Sequence, residues 1–290
     1  MQQRSWLFVP GDSEKKLAKA AGTGADVIIL DLEDAVALSN KPQARQLACA
    51  WLTEQRGIAA FGRWVRINAL DTGLWRDDLA AVMPGAPDGI MLPKSAGPES
   101  VQTVAAALDE LEQRHGIPAG STRILALVSE TAQAAITIPS YAGTAQPRLH
   151  GLVWGGEDLS AAIGAARKYD AQGRWTDAFR FVRTQTLLTA HAAGVLPLDT
   201  LHADFADSAG LKRVAEEARA DGFGGMLAIH PAQVPVINAA FSPSDEELVQ
   251  ARAIVAAFAA QPDAGTLQID GKMIDRPHLV LAKRLLGMAD

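Results

Sequence analysis

Ile124-Leu125-Ala126-Leu127-Val128-Ser129-Glu130-Thr131 is a short apolar run that ends in a carboxylate. Further along, Leu149-His150-Gly151-Leu152-Val153-Trp154-Gly155-Gly156-Glu157-Asp158 repeats the pattern. Each run has the length of a buried strand, and each is followed by a helical pattern. In a parallel barrel the strand ends that lead into helices form one rim, and active sites sit there. Glu130 and Asp158 on that rim, beside a Gly-Gly opening, suit a hard cation such as Mg²⁺. Such an ion takes one or two protein oxygens and leaves the rest of its shell to water and substrate. Taken singly, each acid also reads as a helix N-terminal residue favoured by the dipole.

Outward from these runs, strand and helix patterns alternate. Trp6-Leu7-Phe8-Val9, Val27-Ile28-Ile29-Leu30, Trp64-Val65-Arg66-Ile67 and Gly89-Ile90-Met91-Leu92 precede them. Val195-Leu196-Pro197-Leu198, the weakest run, and Met226-Leu227-Ala228-Ile229 follow. Helical patterns lie between, clearest at 99–113, 177–193 and 211–221. Eight such repeats in roughly 240 residues match an α/β TIM (β/α)8 barrel. A doubly wound sheet is the alternative, weakened by the absence of a GxGxxG turn after the first strand. Residues 1–242 are expected to form the barrel. Residues 243–290 form a C-terminal helical extension: a helix from Ser244 to Ala259 with a capping signal, a linker, and a closing helix from His278 to Met288. So small an apolar tail suggests a lid or a subunit contact.

Composition excludes several classes. The chain has 290 residues, 48% hydrophobic and 21% charged, enough for a sizeable core. Net charge is −6 with scattered Lys and Arg, which argues against a nucleic-acid surface. The single cysteine, Cys49, reads as a buried thiol. With neither a signal peptide nor an apolar stretch of spanning length, a cytoplasmic protein without membrane contact is expected.

Eight motifs then appear in order: Arg4-Ser5-Trp6-Leu7-Phe8-Val9-Pro10-Gly11-Asp12, Asp31-Leu32-Glu33-Asp34-Ala35-Val36, Val65-Arg66-Ile67-Asn68, Leu92-Pro93-Lys94, Ser129-Glu130-Thr131-Ala132, Gly156-Glu157-Asp158-Leu159, Ala228-Ile229-His230-Pro231 and Gly271-Lys272-Met273-Ile274-Asp275. Together they resemble the citrate lyase β-subunit-like branch of the HpcH/HpaI aldolases, over nearly the whole chain. The resemblance implies a Mg²⁺-dependent TIM barrel, often trimeric, that makes or breaks C–C bonds in acyl-CoA esters of hydroxy acids. Met226 departs from the family, where many relatives carry Lys, and puts the pocket floor or a CoA-side contact in question.

The expected chemistry is cleavage of a hydroxy-acyl-CoA ester, such as malyl-CoA or citramalyl-CoA, to acetyl-CoA and a 2-oxoacid. Glu130 and Asp158 would hold Mg²⁺. Arg66 would clamp the substrate carboxylate with its planar fork, or else pair with Asp31 or Glu33. Asp31 and Glu33 are expected at the substrate, acting by orienting water or Arg66, and Asp34 is expected to be structural. Asp275 is the family-matched acid–base group for the acetyl carbon, reaching in cis or from a neighbouring subunit; its other reading is a turn acid before a helix. His230 is expected to pack beneath the site, Lys94 to sit on the rim as a salt-bridge partner, and His115 and His191 to lie on helix surfaces or in the core. Lys15, Lys16 and Arg4 are possible CoA-phosphate contacts or plain surface charge. Two other functions stay open: an aldolase on free 2-oxoacids without CoA, and a CoA-thioester hydrolase or binder on the same scaffold.

Overall fold

The computed structural model describes residues 3–288. Its first compact unit ends at Phe241 and its second begins at Ser242.

In the first unit the chain runs β1 (Ser5–Pro10), α1 (Glu14–Ala20), β2 (Val27–Asp31), α2 (Lys41–Gln55), β3 (Gly62–Arg66), α3 (Trp75–Val82), β4 (Gly89–Leu92), α4 (Pro98–His115) and β5 (Arg123–Leu127). It continues through α5 (Ala132–Thr137), β6 (Leu149–Val153), α6 (Gly156–Ala162), α7 (Asp177–Ala192), β7 (Leu196–Asp199), α8 (Ser208–Asp221), β8 (Gly225–Ala228) and α9 (Val234–Ala240). The eight strands are parallel and form a closed barrel in sequence order. Closure is set by β1, which pairs Trp6 with Val27 on one side and with Leu227 of β8 on the other. That second pairing rules out the doubly wound alternative.

Alternation along the strands divides the apolar residues into two layers. Trp6, Val27, Ile29, Trp64, Met91, Leu125, Leu127, Val153, Leu198 and Leu227 fill the barrel. Their neighbours, among them Leu7, Ile28, Leu30, Val65, Ile90, Ile124 and Leu152, face the helices. Trp6 and Trp64 meet edge to face at 4.9 Å inside the barrel, with His150 5.2 Å from Trp64. Gly89 makes room for this pair, since a Cβ there would lie 2.4 Å from the Trp64 ring. Burial lowers His150 to about 4, so it packs as a neutral ring.

The second unit holds α10 (Asp245–Ala260), β9 (Thr266–Ile269), β10 (Lys272–Asp275) and α11 (Arg276–Leu285). Ser244 caps α10 in a capping box with Glu247. The expected helical extension is therefore joined by an antiparallel hairpin, with Thr266 opposite Asp275. Asp270 and Gly271 form its turn at φ 48° and 78°, the left-handed pair that a two-residue Asp-Gly hairpin requires. Ala251, Ile254, Phe258, Ile274 and Ala282 make a separate small core. Among the described residues no helix is long and apolar enough to cross a membrane.

Candidate active site

Five consecutive strand–helix junctions deliver the rim residues. Asp31 ends β2 and Glu33 follows it; Arg66 ends β3; Lys94 follows β4; Glu130 follows β5; Asp158 lies in the first turn of α6. Gly11 helps seat the first of these. Its N–H donates to the Asp31 carbonyl at 2.9 Å, and a Cβ there would press on that same oxygen.

Arg66 is already engaged. Its Nε donates to Asp31 Oδ1 at 2.8 Å and an Nη to Oδ2 at 2.6 Å, the two-point geometry a guanidinium favours. Its other Nη lies 3.0 Å from Glu33 Oε2, and its face covers the Phe8 ring at 4.8 Å. Burial opposes the Arg66 charge, but Asp31 and Glu33 more than offset it and raise its pKa. Asp31 is 1% exposed. Both its oxygens are fully used: Oδ1 also accepts from the Glu33 N–H and Oδ2 from the Ala35 N–H. Asp31 thus orients Arg66, the second of the two roles expected of it. Glu33 Oε1 accepts from Lys94 Nζ at 2.6 Å. Oε2, although near Arg66, is buried without an aligned hydrogen bond. Burial raises the Glu33 pKa against the pull of Arg66 and Lys94.

Glu130 is 3% exposed. Its Oε2 accepts the Lys94 backbone N–H at 2.5 Å. That N–H is presented by left-handed backbone, φ 49°, uncommon for a residue with a side chain. Burial first, then repulsion from Glu33 and Asp158, pushes the Glu130 carboxyl up to about 8, with the Lys94 N–H offsetting only part. Lys94 itself is lifted to about 12, because Glu33 outweighs the effect of burial. Sequence reasoning missed this backbone clamp, because Pro93 fixes only its own φ and does not specify the left-handed residue that follows.

The charge balance suits a divalent cation. Asp31, Glu33, Glu130 and Asp158 carry four formal negative charges against two on Arg66 and Lys94, leaving an excess of two. The donors are all oxygens, and Glu33 Oε2 is an orphaned acceptor in the same cluster. Among the described residues no group of three His, Cys, Asp or Glu is arranged to hold a metal. A cation held by Glu130 and Asp158 would have two protein ligands, within the habit of Mg²⁺.

Other expectations resolve locally. Asp275 caps α11: its Oδ1 lies 2.5 Å from His278 Nδ1 and accepts the His278 N–H, and the His278 hydrogen bond leads in lowering its pKa. The turn-acid reading is realised there, and His278 is a partner the sequence reading overlooked. His230 is exposed, stacks on Phe205 at 5.0 Å, and accepts the Ala232 N–H on Nδ1, so it caps a turn instead of packing below the rim. Met226 is buried in the helix-facing layer and lines a cavity of about 580 Å³ with Arg183, Asp199 and His202. It does not floor the rim cluster. Arg4 is tied to Asp26 at 2.8 Å, whereas Lys15 and Lys16 are exposed on α1. His115 and His191 are exposed, and Cys49 is half-buried in α2.

Residues 4–231 match the HpcH/HpaI aldolase/citrate lyase family. A citrate lyase subunit beta-like protein of Mycobacterium tuberculosis is 39% identical over 98% of this chain and 94% of its own. A (3S)-malyl-CoA thioesterase of Cereibacter sphaeroides is 36% identical over 99% of this chain and 94% of its own. The crystal structure of CitE from Mycobacterium tuberculosis, in complex with magnesium, acetoacetate and coenzyme A, superposes with a TM-score of 0.77 at 37% identity, covering 99% of this chain and 97% of that one. On these matches and the closed barrel beneath them, the chain belongs to the HpcH/HpaI aldolase/citrate lyase family.

Proposed function

We propose that this protein is a Mg²⁺-dependent carbon–carbon lyase acting on a hydroxy-acyl-CoA ester of the malyl-CoA or citramalyl-CoA type. The observation that carries the reading is the excess of negative charge at Glu130, Glu33 and Asp158, set beside a pre-aimed guanidinium. Such a site takes a cation and a carboxylate together. CitE, which is similar, holds magnesium, a small oxoacid and coenzyme A.

In cleavage the hydroxyl proton passes to solvent water, the bond between the thioester's α carbon and the hydroxyl-bearing carbon breaks, and its electron pair stays on the α carbon as an enolate. That carbon then takes a proton. Products are acetyl-CoA and a 2-oxoacid. Glu130 and Asp158 would hold Mg²⁺, which supplies Lewis acidity at the hydroxyl and carboxylate oxygens. Arg66, locked by Asp31, pairs with the substrate carboxylate. Glu33 keeps Arg66 and Lys94 in place. In the synthetic direction Asp275, an ionised carboxylate hydrogen-bonded to His278, takes the proton from the acetyl carbon. In cleavage its protonated form gives that proton back to the enolate carbon, acting from a neighbouring subunit of a homo-oligomer, with a trimer favoured.

The thioesterase relative supports one competing outcome, hydrolysis of the same esters. A coupled assay with Mg²⁺ separates them. A lyase releases acetyl-CoA with glyoxylate from malyl-CoA, or with pyruvate from citramalyl-CoA. A thioesterase releases free CoA and the intact hydroxy acid. Turnover of free hydroxy-oxoacids alone would assign the aldolase without CoA.

A further inference from the structure

Lys41 is a buried cation placed against ordinary preference. It opens α2, where the positive end of the helix dipole disfavours a cation, and no acid shares that first turn. It is 8% exposed. Its ammonium meets backbone, donating to the Leu32 carbonyl at 2.8 Å and to the Glu33 carbonyl at 3.0 Å. A buried ammonium left short of partners costs stability, so the geometry that retains it needs a reason.

The reason lies in the segment it grips. The Leu32 carbonyl also accepts from Asn68 Nδ2 at 3.0 Å. Asn68 is held in turn by Asp78, fully buried and paired with Arg45 at 2.7 Å. The β2–α2 loop is thus tied from the α2 side by Lys41 and from the β3 side by Asn68. The residue between these ties and the site is Glu33, whose carboxylate spans Lys94 and Arg66.

We propose that Lys41 is a positioning residue: its ammonium fixes the Leu32 and Glu33 carbonyls and so holds the Glu33 carboxylate between Arg66 and Lys94. The inference rests on the lyase reading for its catalytic consequence and on the loop geometry alone for its structural one.

The test uses the full chain with Lys41→Met, Lys41→Gln, Glu33→Gln and the Lys41→Met/Glu33→Gln pair. Lys41→Met should lower kcat/KM about 10- to 100-fold, the usual effect of losing a group that orients a site residue. On the Glu33→Gln background it should cost less than about threefold more, because the two act as one unit. Amide hydrogen exchange should quicken at residues 31–36 while the other strands stay protected. The same factor on both backgrounds, or unchanged exchange at 31–36, would overturn the proposal. So would global unfolding of both Lys41→Met and Lys41→Gln, which would make Lys41 a general strut. A wild type inactive on every ester and oxoacid sinks the lyase reading, and the exchange data alone then decide for or against Lys41.

Discussion

Two buried charge clusters sit at opposite ends of the same strands and are built differently. Just before β5 and β6, Glu112 takes both its oxygens to Arg148, at 2.9 and 2.5 Å, and accepts two further backbone N–H groups from Gly120 and Thr122. Burial would raise its pKa, but Arg148 and those amides bring it to about 2. Glu130, just after β5, receives one backbone N–H at Oε2, faces two like charges, and stands at about 8. A saturated carboxylate fastens the fold; a starved one keeps affinity for something that arrives later. The split follows the two faces of such barrels, stability at one and chemistry at the other.

The comparison breaks first at Glu130. Glu130→Gln or Asp158→Asn should remove Mg²⁺-dependent turnover by on the order of 10³-fold or more, since a Lewis acid contributes several kcal/mol to the barrier. Circular dichroism should stay native. Activity near wild type, or undiminished Mg²⁺ affinity by calorimetry, would refute the ligand assignment. Asp275→Asn should bind Mg²⁺ normally yet lose about 10²- to 10⁴-fold in rate, the range for a proton-transfer group. Mixing it with Glu130→Gln subunits should restore activity if the group acts across a subunit boundary. Unimpaired turnover would reduce Asp275 to its cap.

Arg66→Lys should cost roughly 2–4 kcal/mol in kcat/KM, because an ammonium cannot copy the fork. A change of only a few-fold would leave Arg66 a purely structural partner of Asp31. At the other end, Glu112→Gln should lower stability by about 3 kcal/mol, as expected when a buried pair loses one member. Its kcat below melting should be unchanged. The reverse pattern would erase the distinction between the two ends.

The smallest effect is in pH. The Glu130 carboxyl is raised above its unfolded value near 4.5, so its neutral form contributes stability that is fully present below about 4.5 and lost as pH rises through about 8. Without Mg²⁺, the melting temperature of wild type minus that of Glu130→Gln should fall across pH 5 to 8, and saturating Mg²⁺ should flatten the slope. A difference independent of pH would show that Glu130 is not strained by its neighbours.

Most of the barrel was legible because its strands are apolar runs. Gly89–Leu92 is found with the boundaries expected, and strands one to three, seven and eight within one or two residues, while the runs quoted through Thr131 and Asp158 leave the sheet at Leu127 and Val153. The rim residues were legible as acids and an arginine just past those runs. What side chains do to one another was not. Nothing in Leu92-Pro93-Lys94 announces a left-handed turn that spends a backbone N–H on Glu130, and nothing in Asn40-Lys41-Pro42 separates a loop clamp from a surface lysine. Asp31 reads as a rim acid, and only the fold shows its four hydrogen bonds going to Arg66 and to the Glu33 and Ala35 N–H groups. Asp270-Gly271 carried a hairpin signal between two short runs, overlooked because the helical pattern around it dominated.

The plug of Trp6 and Trp64 inside the barrel has a kinetic consequence. With the interior filled by these side chains, a ligand reaches the cluster from the rim that carries Glu130 and Arg66. On the proposed reaction an oxoacid paired with Arg66 beside Glu130 would lie deeper than the bulky thioester. In the synthetic direction the oxoacid then binds before acetyl-CoA, and in cleavage it departs second, trapped until the thioester has cleared the doorway. Product-inhibition patterns should therefore be those of an ordered mechanism.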